Sequence, residues 1–258
     1  RLGLVSMALV WHKVTAEAEY KVCLAGNSIR LYRNAVLHSQ WNPKDPFKGQ
    51  LWELFLLSSF DPQRVPKKVL LLGLGGGAVV KLLQRFFPTI EIDAIELDRN
   101  HISVAKRFFS VDKGHCNVIH AEADEWLRQN RSGRYDLIID DVFHEKNGEP
   151  FRAISYQQTH LCRLLGKLTK EGVLVVNFAD AKEWKDARAA FRELAMAADF
   201  NIGLAVQGQY QNRIAHISRR DLEANQLRQQ LQACRLTKFL KYWRDETFQY
   251  RLVRRSKS

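Results

Sequence analysis

The sequence predicts an α/β fold: a doubly wound, mostly parallel seven-stranded sheet with a small N-terminal β extension and a basic C-terminal helix. Three observations predict it. From residue 69 onward, short apolar runs alternate with amphipathic stretches of ten residues or so, the texture of βαβ units. The first apolar run leads into Gly73-Leu74-Gly75-Gly76-Gly77, a turn from strand to helix. Acidic residues then recur near the carboxyl ends of later strands, where such sheets bind ligands.

Length and composition bound the answer. At 258 residues the chain makes one large domain, or one plus a small one. With 46% hydrophobic and 26% charged residues it is not a disordered chain. No apolar run approaches the length of a membrane-spanning helix. The four scattered cysteines (Cys23, Cys116, Cys162, Cys234) form no C-x-x-C pair and suit a reducing, cytoplasmic compartment. His115, Cys116 and His120 lie close together without an evident fourth ligand, so no metal site is expected. The chain begins at Arg1 rather than Met, so further residues are expected ahead of it.

Three parts are expected. Residues 1–60 hold strands at 4–10, 20–24 and 28–32, a Gly26-Asn27 turn, and a helix over 49–60. Residues 61–220 hold strands at 69–74, 90–97, 117–121, 135–142 and 173–178, with further strands at 201–206 and 213–218. Helices are expected over 78–87, 99–109, 124–130, 156–168 and 181–198. Residues 221–258 are a basic helix, 221–243, and a tail.

Charge is uneven. The chain carries 40 Lys+Arg against 28 Asp+Glu, a net of +12. From residue 219 to the end, eleven basic residues face four acidic ones, a net of +7. Such a segment can contact RNA or an acidic protein, or be a solvated surface. The interleaved Phe239, Tyr242, Trp243, Phe248 and Tyr250 fit either base stacking or ordinary packing.

Four features carry chemistry. The glycine turn lets a ligand approach the backbone, and the helix behind it offers free N–H groups. Glu96, 23 residues after Gly73, is placed to accept hydrogen bonds from ribose hydroxyls, while nearby Asp98 suits a helix cap. Asp124 can accept from an exocyclic amine such as that of adenine, or cap the helix that follows. Asp140 and Asp141 end a strand and point to opposite faces, so one of them can meet the ligand.

In the order VLLLGLGGGAV, IDAIELD, AEADEWL, YDLIIDDVF and GVLVVNFA, these segments resemble the spermidine synthase-like branch of the class I S-adenosylmethionine-dependent transferases. The resemblance covers roughly residues 20–218 and implies a Rossmann-like domain. It implies that Gly73, Gly75, Gly76 and Gly77 line the donor, that Glu96 holds its ribose, and that Asp124 meets its adenine. It makes Asp141 the aspartate thought to take a proton from an attacking amine. Two departures stand out. The polyamine synthases typically carry an aspartate after the glycines, where this chain has Ala78. They typically carry D-S-S-D-P at the fourth strand, where this chain has Asp141-Val142-Phe143-His144-Glu145.

The expected function is therefore methyl transfer from S-adenosylmethionine, with Asp141 as base or orienter and His144 as a second candidate. The alternative is aminopropyl transfer from decarboxylated S-adenosylmethionine to a polyamine. A third reading is a noncatalytic nucleoside-binding scaffold. Apolar residues on the N-terminal strands could pair two copies into a homodimer, by analogy with the related synthases.

Overall fold

The computed structural model describes residues 7–130, 133–146, 149–152 and 158–254. Four strands come first: β1 (Met7–Val14), β2 (Glu19–Ala25), β3 (Ser28–Arg33) and β4 (Val36–Trp41). They form an antiparallel sheet in the order β1-β2-β3-β4. Asn34 and Ala35, both at positive φ, close the last hairpin. The expected N-terminal β extension is thus a full meander, with β4 as an unforeseen strand. The expected helix over 49–60 is a 3-10 helix, Leu51–Ser59, with every residue buried.

The main domain follows in alternation: β5 (Lys68–Leu72), α1 (Ala78–Phe86), β6 (Glu91–Glu96), α2 (Arg99–Phe109), β7 (Cys116–His120), α3 (Ala123–Gln129) and β8 (Tyr135–Asp140). A short hairpin, β9 (His144–Lys146) and β10 (Glu149–Phe151), precedes α4 (Gln158–Gly166). Then come β11 (Leu168–Phe178), α5 (Ala181–Ala198), β12 (Asn201–Gln207) and β13 (Arg213–Ser218). The expected helix start at residue 156 lies outside the described residues.

The main sheet has eight strands, not seven, in the order β14-β12-β13-β11-β8-β5-β6-β7. Five of them, from β11 to β7, run parallel. The extra strand is β14 (Phe248–Arg254), which pairs antiparallel with β12. The expected C-terminal helix is broken into α6 (Ala224–Ala233) and α7 (Thr237–Arg244), and Arg235 takes a positive φ between them. Phe239, Trp243 and Phe248 are buried together beneath this segment. Three of the segment's five interleaved aromatics are therefore packing residues, while Tyr242 and Tyr250 are half-buried.

Alternation along the central strand builds two cores. Val69 and Leu71 face α1, the 3-10 helix and α7. Leu70 and Leu72 face α3, α4 and α5. Chain order reverses between β5 and β8, so a crevice opens at their carboxyl ends. No described helix is long and apolar enough to cross a membrane.

Candidate active site

A cavity of about 840 Å³ fills this crevice. Its floor comes from the ends of β5, β6, β7, β8 and β11, and its roof from the N-terminal meander and the 3-10 helix. Gly73 crosses under it at φ +85, and a Cβ there would stand 2.4 Å from the Asp141 carbonyl oxygen. Only glycine permits this contact between the turn and the end of β8. Gly73 and Gly75 line the cavity, as expected. Gly76 and Gly77, also expected at the donor, turn away from it. The Gly76 N–H donates to Ser39 Oγ at 2.7 Å. A Cβ at Gly77 would lie 2.3 Å from Val111. These two glycines seat the turn on β4 and on the end of α2; they do not line the cavity.

Glu96 lies at the end of β6 on the cavity wall. Its Oε2 accepts from the N–H groups of Leu74 and Gly75 at 3.0 and 2.9 Å. Its Oε1 accepts from Asp98 N–H at 2.8 Å. Burial raises this carboxyl, but the His101 ring and the backbone donors overcome burial and hold it at about 2. Three of a carboxylate's roughly four acceptor sites are thus filled, which leaves Oε1 room for one further donor. Asp98 caps α2 as expected, accepting from Asn100 N–H at 2.7 Å.

Asp124 departs from expectation in both of its readings. The cap of α3 is Glu122, whose carboxylate accepts from the Asp124 and Glu125 N–H groups. Glu122 and Ala123 line the cavity and Asp124 does not. The Asp124 carboxylate is engaged by Arg163 at 3.0 Å, His160 at 3.3 Å and Arg128 at 3.3 Å. The helix starts one residue earlier than expected, which swings position 124 outward and leaves Glu122 facing in.

Asp140 and Asp141 do part company. Asp140 is buried against Arg152 at 3.0 Å and His160 at 3.4 Å. Asp141 lines the cavity, and Asn177 Nδ2 donates to its Oδ1 at 2.7 Å. Asn212 Nδ2 in turn donates to Asn177 Oδ1 at 2.9 Å. Burial pushes the Asp141 carboxyl up to about 7, although the Asn177 hydrogen bond and the Arg152 charge pull it down. A carboxylate poised near neutrality is suited to accept a proton. The apolar part of the cavity wall includes Leu51, Trp52, Val79, Val142, Phe143 and Tyr210. The backbone of His144 opens β9; its side chain lies outside the described residues. Sequence reasoning missed Glu122, Asn177's bond to Asp141, and the roof residues His38 and Trp52. The one available signal was the acid at 122, two residues past the strand.

A glycine turn at the switch point, an acid at the end of β6 and an aspartate just past β8, on a mostly parallel sheet, mark the Rossmann-like class I transferase fold. More narrowly, the chain belongs to the spermine/spermidine synthase domain family, which matches residues 57–191. A polyamine aminopropyltransferase of Vibrio vulnificus is 30% identical over 140 residues, 52% of this chain and 45% of that protein. A human eEF1A lysine and N-terminal methyltransferase is 28% identical over 125 residues, 44% of this chain and 18% of that protein. The matches thus span less than half of these relatives. A solved probable spermidine synthase of Corynebacterium glutamicum shares the fold at a TM-score of 0.69 and 15% identity, covering 87% of each chain.

Proposed function

We propose that the chain is an S-adenosylmethionine-dependent methyltransferase built on the spermidine synthase fold. One observation carries the reading: among the described lining residues, no acid stands on the glycine turn and Asp141 alone stands near β8 and β11, where an aminopropyl group and a polyamine would call for several. No acidic side chain occurs at positions 75–79 of the turn. A Cβ at Gly76 would meet Ser39 at 2.8 Å, and Ala78 is buried. Near β8 and β11, Asp141 is the one acid among the described lining residues, set among aromatic and aliphatic side chains. A multivalent cation gains most from several opposed charges.

In this reading Gly73 and Gly75 border the methionine portion, Glu96 Oε1 takes a ribose hydroxyl, and Glu122 accepts from the adenine amine. The sulfonium makes the methyl group labile. The protein's part is to align the acceptor with it, to exclude water with Trp52 and Phe143, and to receive the acceptor's proton on Asp141. Asn177 positions Asp141. The methyltransferase named among the relatives supports the reading.

Aminopropyl transfer is the second reading, favoured by the names of the other relatives, and it uses the same Asp141. Calorimetric titration with S-adenosylmethionine and with its decarboxylated form separates the two. The expected result is tighter binding of the carboxylated donor. Preference for the decarboxylated donor would replace this proposal with the second. Binding without turnover on any amine would leave the scaffold reading.

A further inference from the structure

His101 sits on the first turn of α2, inside the wall of the cavity, and is almost fully buried. Its Nδ1 lies 3.7 Å from Glu96 Oε2, and its Nε2 lies 3.9 Å from Asp98 Oδ2. Nε2 has no hydrogen-bond partner and is shielded from solvent. The other groups facing the ring come from the N-terminal meander. They are Tyr20 of β2, packed edge-on at 5.8 Å, His38 of β4 at 5.3 Å, and the more distant Arg33 of β3.

The two carboxylates decide the ring's protonation. A neutral imidazole has one N–H and one lone pair. Either tautomer would turn its lone pair toward a carboxylate, Glu96 in one case and Asp98 in the other. Only the doubly protonated ring offers a proton to both. Tyr20 Oη also donates to Asp98 Oδ2 at 2.6 Å, so Asp98 is itself fixed and cannot swing away.

We propose that His101, as an imidazolium clamped between Glu96 and Asp98, is a positioning residue that fixes the Glu96 carboxylate for the donor's ribose and makes nucleoside affinity fall at alkaline pH. The inference rests on the reading of Glu96 as the ribose acceptor. Burial works against the charged ring, and the two carboxylates outweigh it, so its proton is held above the ordinary histidine range. When that proton leaves, Glu96 and Asp98 face each other two residues apart without a cation between them. Glu96 then keeps its backbone donors but loses the side-chain brace that sets its plane.

The test is a titration with 5′-methylthioadenosine, the nucleoside portion common to both candidate donors, followed calorimetrically from pH 6 to pH 9. For the unaltered protein we expect affinity to fall about fivefold or more across the range. His101→Gln should bind more weakly at pH 6 and lose the slope. Glu96→Gln should bind poorly throughout. A proton NMR titration of the unaltered protein, with the His101 ring assigned by its absence in His101→Gln, should show that ring still charged at pH 7. A flat profile in the unaltered protein, or a ring neutral at pH 7, would overturn the role of His101 while leaving Glu96 in place. Full binding by Glu96→Gln would instead remove the ribose reading, and this inference with it.

Discussion

Asp141 holds two properties in tension. Its carboxyl is pushed up to about 7, so the folded protein resists its ionisation. The unfolded chain ionises it near the ordinary aspartate value of 3.8. Its contribution to stability is therefore whole below about pH 4 and is lost as pH rises through about 7. In the role proposed for Asp141, turnover runs the other way, since a proton acceptor must be ionised, and should rise with pH through that same region. Asp141→Asn should lower kcat by about 10²–10⁴-fold. It should also melt at a higher temperature than the unaltered protein at pH 8, with the gap closing at pH 4. A variant that loses activity without this gain would mean that the carboxylate is not strained by burial. Gly73→Ala is the complementary case. Its Cβ would meet backbone rather than a flexible side chain, so the turn must move away from β8. Donor affinity should drop by more than tenfold in calorimetry, even in protein that still folds.

Elements differ in how plainly the sequence announces them. The central parallel strands β5, β8 and β11 were legible because they are buried on both faces and read as apolar runs. Strand β4 was not, because His38 and Ser39 interrupt its apolar pattern; one lines the cavity and the other holds Gly76. Polar residues at the cavity wall thus stand where a strand pattern would carry apolar ones. Strand β14 was hidden differently. Phe248, Tyr250 and Leu252 alternate with Gln249 and Arg251, a period of two, but the run is short and lies inside a basic segment that reads as a tail. In the candidate site, Glu96 and Asp141 were legible from their place after strands. The exchange of Glu122 for Asp124 was not, because two acids at neighbouring positions can be told apart only by where the helix begins. Trp243 anchors α7 against Phe248 and Tyr250. Trp243→Ala should cost about 3–5 kcal/mol in denaturant unfolding. A loss below 1 kcal/mol would show that α7 and β14 are a dispensable cover.

At the scale of the whole molecule, the two sheets are joined through the loops that border the crevice. Ser39 holds the glycine turn, Tyr20 holds Asp98, and Lys13 Nζ donates to Asn100 at 2.7 Å. Ser39→Ala leaves a buried N–H without its acceptor. It should cost about 1–3 kcal/mol and weaken donor binding as well, both measurable on one preparation by thermal melts with and without donor. Stability loss with unchanged affinity would confine the meander to a scaffolding role.

The bond from Ser39 to Gly76 also bears on inheritance. A gene rearrangement that carried off the nucleoside half alone would deliver a glycine turn stripped of its support. Lineages of such chains should therefore keep the meander and the larger sheet together and change chemistry by substitutions inside the shared crevice. Exchange of whole modules should be the rarer route.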